Sequence, residues 1–179
     1  EGAGDSGQET GGRGQEPGGR DAELSAIPAA ARSYAKHYRE EFSRVHDYFR
    51  LIGQDNFRRY VPVREVRVRV HRDDSLFEIV ARIIAAKTAG CRVTVSSSPD
   101  DDLPVVHQLV GLTHSWAGAI EFVEETDDEL AERIRTRQPD RLRYAAPYRV
   151  PNVVREAAPE VQLHIADRPV LRHGRIELL

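Results

Sequence analysis

The sequence predicts an α/β fold: a Rossmann-like three-layer sandwich with a mostly parallel sheet, preceded by an amphipathic helix. Three observations carry the prediction. Val66, Val68 and Val70 alternate with Arg67 and Arg69, the period-2 signature of a strand with one buried face. Ser75 and Glu78 form an S-x-x-E capping box ahead of the apolar run at 76–84, which opens a helix. Gly90 closes that helix, and CRVTV at 91–95 follows as a second strand. Strand, helix and strand within roughly 30 residues make a parallel crossover unit.

Composition bounds the rest. The chain has 179 residues, 40% hydrophobic and 31% charged, which suits one globular domain with a solvated surface. A formal net charge of -3 is too small to imply a nucleic-acid partner or an anionic membrane surface. No apolar run approaches the ~20 residues that span a bilayer, and the Gly- and Glu-rich start has no signal-peptide core. A single cysteine, Cys91, excludes an internal disulfide and fits a reducing, cytoplasmic location. Glu1 in place of Met and the closing RIELL both read as cut ends, so a piece of a longer polypeptide is expected.

In chain order, residues 1–22 are Gly-rich and nearly devoid of apolar side chains, a disordered linker. No strand precedes these glycines and no Lys-Ser/Thr helix start follows them, which argues against a phosphate loop. Residues 28–53 read as an amphipathic docking helix. Tyr34, Tyr38, Phe42, Val45, Tyr48, Phe49 and Ile52 recur at three- to four-residue spacing, and Gly53 stands as its C′ residue. Residues 54–179 form the Rossmann-like domain. After a polar connector, Pro62 biases Val61 to extended backbone and the first crossover unit begins. Weaker repeats follow: a helix at 103–116, a strand at 119–123, and a second capping box, Thr126 with Glu129, opening a helix to about 137. A short strand is expected at 142–146, a helix at 151–158, a strand at 161–166, and the start of one more at 175–178.

Candidate chemistry is sparse. A nucleotide in a doubly wound fold needs glycines in the first strand-to-helix turn, so that phosphate can approach the helix N-terminus. Residues 71–75 are His-Arg-Asp-Asp-Ser, and their carboxylates oppose a phosphate there. Ser96, Ser97 and Ser98 precede Asp100, Asp101 and Asp102 and read as a solvated loop. Glu121, Glu124 and Glu125 flank a strand end, where capping and solvation outweigh acid–base work. Cys91 follows a helix-ending glycine at the start of a strand, away from the carboxyl ends where chemistry gathers, so it reads as a core residue. His107 and His114 are two helical turns apart, without a metal-ligand spacing. The residues alone show no catalytic, cofactor-binding or metal site.

One resemblance adds to this. Gly53-Gln54-Asp55-Asn56, then Arg59-Tyr60 and Pro62, resembles the segment downstream of the aldehyde dehydrogenase module in long proline utilization A proteins. These are bifunctional proline dehydrogenase/L-glutamate γ-semialdehyde dehydrogenases of the aldehyde dehydrogenase superfamily. The strand at 66–70, the acidic turn Asp73-Asp74, the helix to Ala89 and the strand at 91–95 follow in that family's order. Gly174 to Leu179 resembles the lead-in to its last conserved stretch. Gln54 stands where Glu is usual, which implies a divergent subgroup. The resemblance implies a non-catalytic C-terminal domain, Rossmann-like in fold, that covers the tunnel between two active sites. It implies no cofactor in this piece, with NAD, and FAD where a proline dehydrogenase module is present, bound by the parent enzyme. The partner is then the upstream aldehyde dehydrogenase module of the same polypeptide. Tyr38, Phe42 and Phe49 on the helix, with Arg64, Arg67 and Arg69 on the strand, are the expected interface. The alternative is a stand-alone Rossmann-like ligand-binding or regulatory module; an enzyme built on the Ser96–Ser98 loop ranks third.

Overall fold

The computed structural model describes residues 17–114 and 120–178. Five strands form one parallel sheet: β3 (Glu65–Arg69), β4 (Arg92–Ser97), β5 (Ile120–Glu124), β6 (Arg141–Arg143) and β7 (His164–Ala166), in the order β5-β4-β3-β6-β7. The order reverses between β3 and β6, which is the doubly wound arrangement. The expected Rossmann-like sandwich is the fold observed. A separate two-stranded antiparallel ladder joins β1 (Val45–His46) to β2 (Arg58–Arg59) ahead of the sheet.

Two cores face opposite ways. On one face Val66, Val68, Val70, Val93 and Val95 pack under α2 (Leu76–Thr88) and α3 (Pro104–Thr113). On the other, Leu142 and Tyr144 pack under α4 (Asp127–Arg135) and α5 (Asn152–Glu160). Both capping boxes form as expected: the Ser75 hydroxyl accepts from the Glu78 N–H, and the Thr126 hydroxyl from the Glu129 N–H. Each stabilises its helix start by about 1 kcal/mol. Gly90 closes α2 at φ +87°. Its N–H donates to the Lys87 carbonyl, and the Cys91 N–H to that of Ala86, the Schellman pair.

The first helix departs from its expected bounds. The helix α1 spans Pro17–His37, so part of the segment read as linker is helical and Pro28 lies inside it. Residues 1–16 of that linker lie outside the described residues. A π-helical turn, Tyr38–Phe42, closes α1, with the Ser43 N–H reaching the Tyr38 carbonyl. Beyond it the chain turns into the β1–β2 ladder, and Arg50 and Gly53 take positive φ. The three- to four-residue spacing therefore marks a helix through Phe42 only. What holds α1 is packing: Ala30 and Tyr34 are fully buried against Phe77, Ala81 and Ala85 on the outer side of α2. The expected strand at 175–178 is instead a 3₁₀ turn, Ile176–Leu178. Its Glu177 carboxylate accepts from Arg143 and from the Leu171 N–H, and these bonds fold the segment over the sheet rather than alongside it.

Candidate functional site

Ligands of doubly wound folds sit beyond the carboxyl ends of the strands, where the strand order reverses. Here that place lies between the ends of β3 and β6, over the N-terminus of α2. Asp74 dominates it. Its side chain is wholly buried and accepts hydrogen bonds from Arg82 of α2, from Arg149 of the 3₁₀ turn Pro147–Arg149, and from the His71 N–H. Arg149 also reaches Glu78 at 3.1 Å and the Asp73 carbonyl. Arg82 is equally buried and donates to the carbonyls of Arg69 and Glu78 at 2.8 Å. Burial pulls its guanidinium below the ordinary arginine value, and Asp74 opposes that pull. The positive end of α2 is thus met by Glu78 and Asp74, and two guanidiniums close the space above. With an acidic turn and no glycine, these residues do not fit a dinucleotide phosphate.

The arginine face of β3 is not a free surface. Arg67 and Arg69 are 5% and 4% exposed. Arg67 donates to both Glu125 carboxylate oxygens at 2.8 Å. Arg69 donates to the Ser96 hydroxyl, the Glu125 carbonyl and Asp127, each within 2.9 Å. Arg133 of α4 reaches Glu125 at 2.7 Å, and the Ser96 hydroxyl donates to it at 2.5 Å. So β3 is buried on both sides because its arginines meet carboxylates inside the chain. Ser96 and Ser97 belong to β4 and are buried rather than solvated. Glu125, 1% exposed, anchors this network rather than facing water, whereas Glu121 and Glu124 are exposed.

The six expected interface residues are distributed over four places. Arg64 and Arg67 line an open polar cleft of about 470 Å³ beside β5; Arg69 lies deeper, at Asp127. Tyr38 and Phe42 line a second cavity, of about 440 Å³, between the π turn and β7. Phe49 projects from the β1–β2 loop, 74% exposed, near the exposed Leu51, Ile52 and Phe57. Cys91 lies in the core, and burial pushes its thiol pKa up. Among the described residues no group of three His, Cys, Asp or Glu side chains can hold a metal, and no helix is long and apolar enough to cross a membrane. The sequence reading passed over Arg82, Arg149 and Arg141. Arg82 carried a signal, a guanidinium in the otherwise apolar stretch IVARIIAA.

Two buried phenols give this fold an alkaline limit. Burial, first of all, raises the Tyr34 pKa and the Tyr144 pKa above the ordinary tyrosine value. The Tyr34 hydroxyl donates to the Leu171 carbonyl, while that of Tyr144 has no partner among the described residues. Unfolded tyrosine ionises near about pH 10, so the unfolded chain releases these protons first. Stability is full below that pH and falls as the pH rises past it. Absorbance titration should show both phenols ionising only together with loss of helical circular dichroism. Their ionisation in the folded chain, alongside the exposed tyrosines, would contradict the burial argument.

No family model matches the chain, and no curated protein matches it. Solved structures do. A 3,6-anhydro-L-galactose dehydrogenase in complex with NAP superposes with TM-score 0.60 at 14% identity, over 80% of this chain and 31% of that one. Staphylococcus aureus AldH in a substrate-bound state superposes with TM-score 0.51 at 16% identity, over 84% of this chain and 41% of that one. The chain thus spans less than half the length of either, and what it shares with them is the fold.

Proposed function

We propose that this chain is the non-catalytic C-terminal portion of an L-glutamate γ-semialdehyde dehydrogenase of proline catabolism, acting as a lid on the catalytic module of the same polypeptide. The observation that carries the reading is a Rossmann frame whose switch point is closed by its own side chains, Asp74 held by Arg82 and Arg149. The GQDN…RRY-VP resemblance points to the pathway, and the partial span of the two superposed structures supports a companion module. In this reading the parent binds NAD, with FAD where it carries a proline dehydrogenase module, works in the cytoplasm, and oligomerises through its other parts. The docking element is the β1–β2 loop with Phe49, with Arg64 beside the polar cleft, because Arg67 and Arg69 are engaged inside the chain.

Two measurements test it. Calorimetry of the chain with NAD and with NADH should give no binding heat; micromolar binding would instead favour a ligand-binding or regulatory module. In the polypeptide of the intact reading frame, Phe49→Asp should weaken association with the dehydrogenase module and lower its turnover. Unchanged association and turnover would remove the lid reading.

A further inference from the structure

We propose that the cavity between the π turn and the β6–β7 half of the sheet binds a small organic carboxylate with an apolar body, held by Arg141. The sheet register sets this up. Arg141 lies between Val66 and His164, and Arg143 between Val68 and Ala166, on the same face. The apolar face of β3 and β4 therefore turns cationic at β6. The two arginines are provided for very differently. Arg143 donates to the carbonyls of Tyr144, Ala166 and Arg168 and to the Glu177 carboxylate. Arg141, half-buried two residues earlier, lines the same cavity and has no hydrogen-bond or ion-pair partner among the described residues.

The nearby carboxylates are engaged elsewhere. Asp140 accepts the Glu65 N–H and lies 3.6 Å from Arg64. Asp167 lies 3.8 Å from Arg155, and Glu177 serves Arg143 and Leu171. A guanidinium is a planar fork that matches a carboxylate with two parallel bonds. The same cavity has an apolar wall: Phe42 and Tyr60 pack with tilted rings, 4.7 Å between centroids, and Pro62 and Val63 line it too. At about 440 Å³ the cavity has the size of small-molecule sites, which pair apolar walls with a few placed polar groups. A compact hydrated anion such as phosphate would use Arg141 and leave the aromatic wall empty. A carboxylate with a short hydrocarbon or aromatic body uses both. This site is separate from the lid reading and stands or falls without it.

The test is ligand titration of the whole chain, by calorimetry or saturation-transfer NMR, with benzoate and hexanoate. Benzamide and hexanamide serve as neutral isosteres, and inorganic phosphate as the bare anion. Benzoate and hexanoate should bind, and the amides and phosphate should bind at least about tenfold more weakly, since each lacks one half of the recognition. Arg141→Gln should weaken benzoate binding by at least about tenfold while leaving the unfolding curve unchanged, and Arg141→Lys should restore part of it. The proposal is overturned if neither carboxylate binds at millimolar concentration, or if Arg141→Gln binds benzoate as the parent chain does. Phosphate competing as well as benzoate would equally overturn it, by removing the role of the apolar wall.

Discussion

Asp74→Ala is expected to lower the unfolding free energy by about 3–5 kcal/mol, because it strips the carboxylate that pairs directly with a buried guanidinium. The Arg82 and Asp74 side chains are both 0% exposed, so solvent does not screen the pair. Arg82→Met should cost less, about 1–3 kcal/mol. Asp74 then keeps Arg149 and the His71 N–H, and the methionine fills part of the vacated space. That asymmetry is the informative result. A surface ion pair would lose about 0–1 kcal/mol from either side alike. Urea unfolding of the two variants, with unchanged m-values, would measure it. An Asp74→Ala loss under about 1 kcal/mol, or a larger loss for Arg82→Met, would show that the carboxylate does not hold this junction.

The contrast between legible and illegible features follows sequence distance. The capping boxes Ser75–Glu78 and Thr126–Glu129 and the glycine stop at Gly90 were readable because each is settled within one helical turn of the chain. The parallel sheet was readable because helix and strand periodicities alternate. Asp74 was visible as an acidic residue blocking a phosphate. Of its two arginines, Arg82 stands eight residues on and left a trace as a charge in an apolar stretch, whereas Arg149 arrives from 75 residues away and left none. The same holds for β3: alternation correctly put Arg67 and Arg69 on one face, but nothing local says that Glu125 and Asp127 will cover that face. The first helix shows the opposite error. Aromatics at helical spacing through Ile52 suggested one long helix, yet Arg50 and Gly53 take positive φ and the chain reverses. Spacing registers a face that an element could bury, not whether it does, and Phe49 and Ile52 remain exposed.

Glu125→Ala should be as damaging as the loss of Asp74, about 3–5 kcal/mol, and for the same reason. It removes both oxygens that hold Arg67 and leaves the buried Ser96 hydroxyl without its acceptor. The remaining carboxylate near Arg67 is Glu65 at 3.5 Å, too long to stand in for the two 2.8 Å bonds from one Arg67 nitrogen to Glu125. Arg133, 44% exposed at its side chain, simply returns to water. Removing both partners tells more than removing one. If the interior position rather than the charge matters, Glu125→Leu with Arg67→Leu should recover part of the loss, since an apolar pair of similar volume leaves nothing buried and unpaired. A double-mutant cycle should then give a coupling of about 1–3 kcal/mol; additivity would mean the two residues do not act as a unit. Because the pair is buried, the coupling should change little between low and high salt. The cycle also decides how docking can be tested. Reversing the charge of Arg67 or Arg69 would place a carboxylate against Glu125 or Asp127 and disturb the sheet itself. A loss of association in such variants would report unfolding, whereas substitutions at Phe49 or Arg64, which lie on the surface, would report the contact.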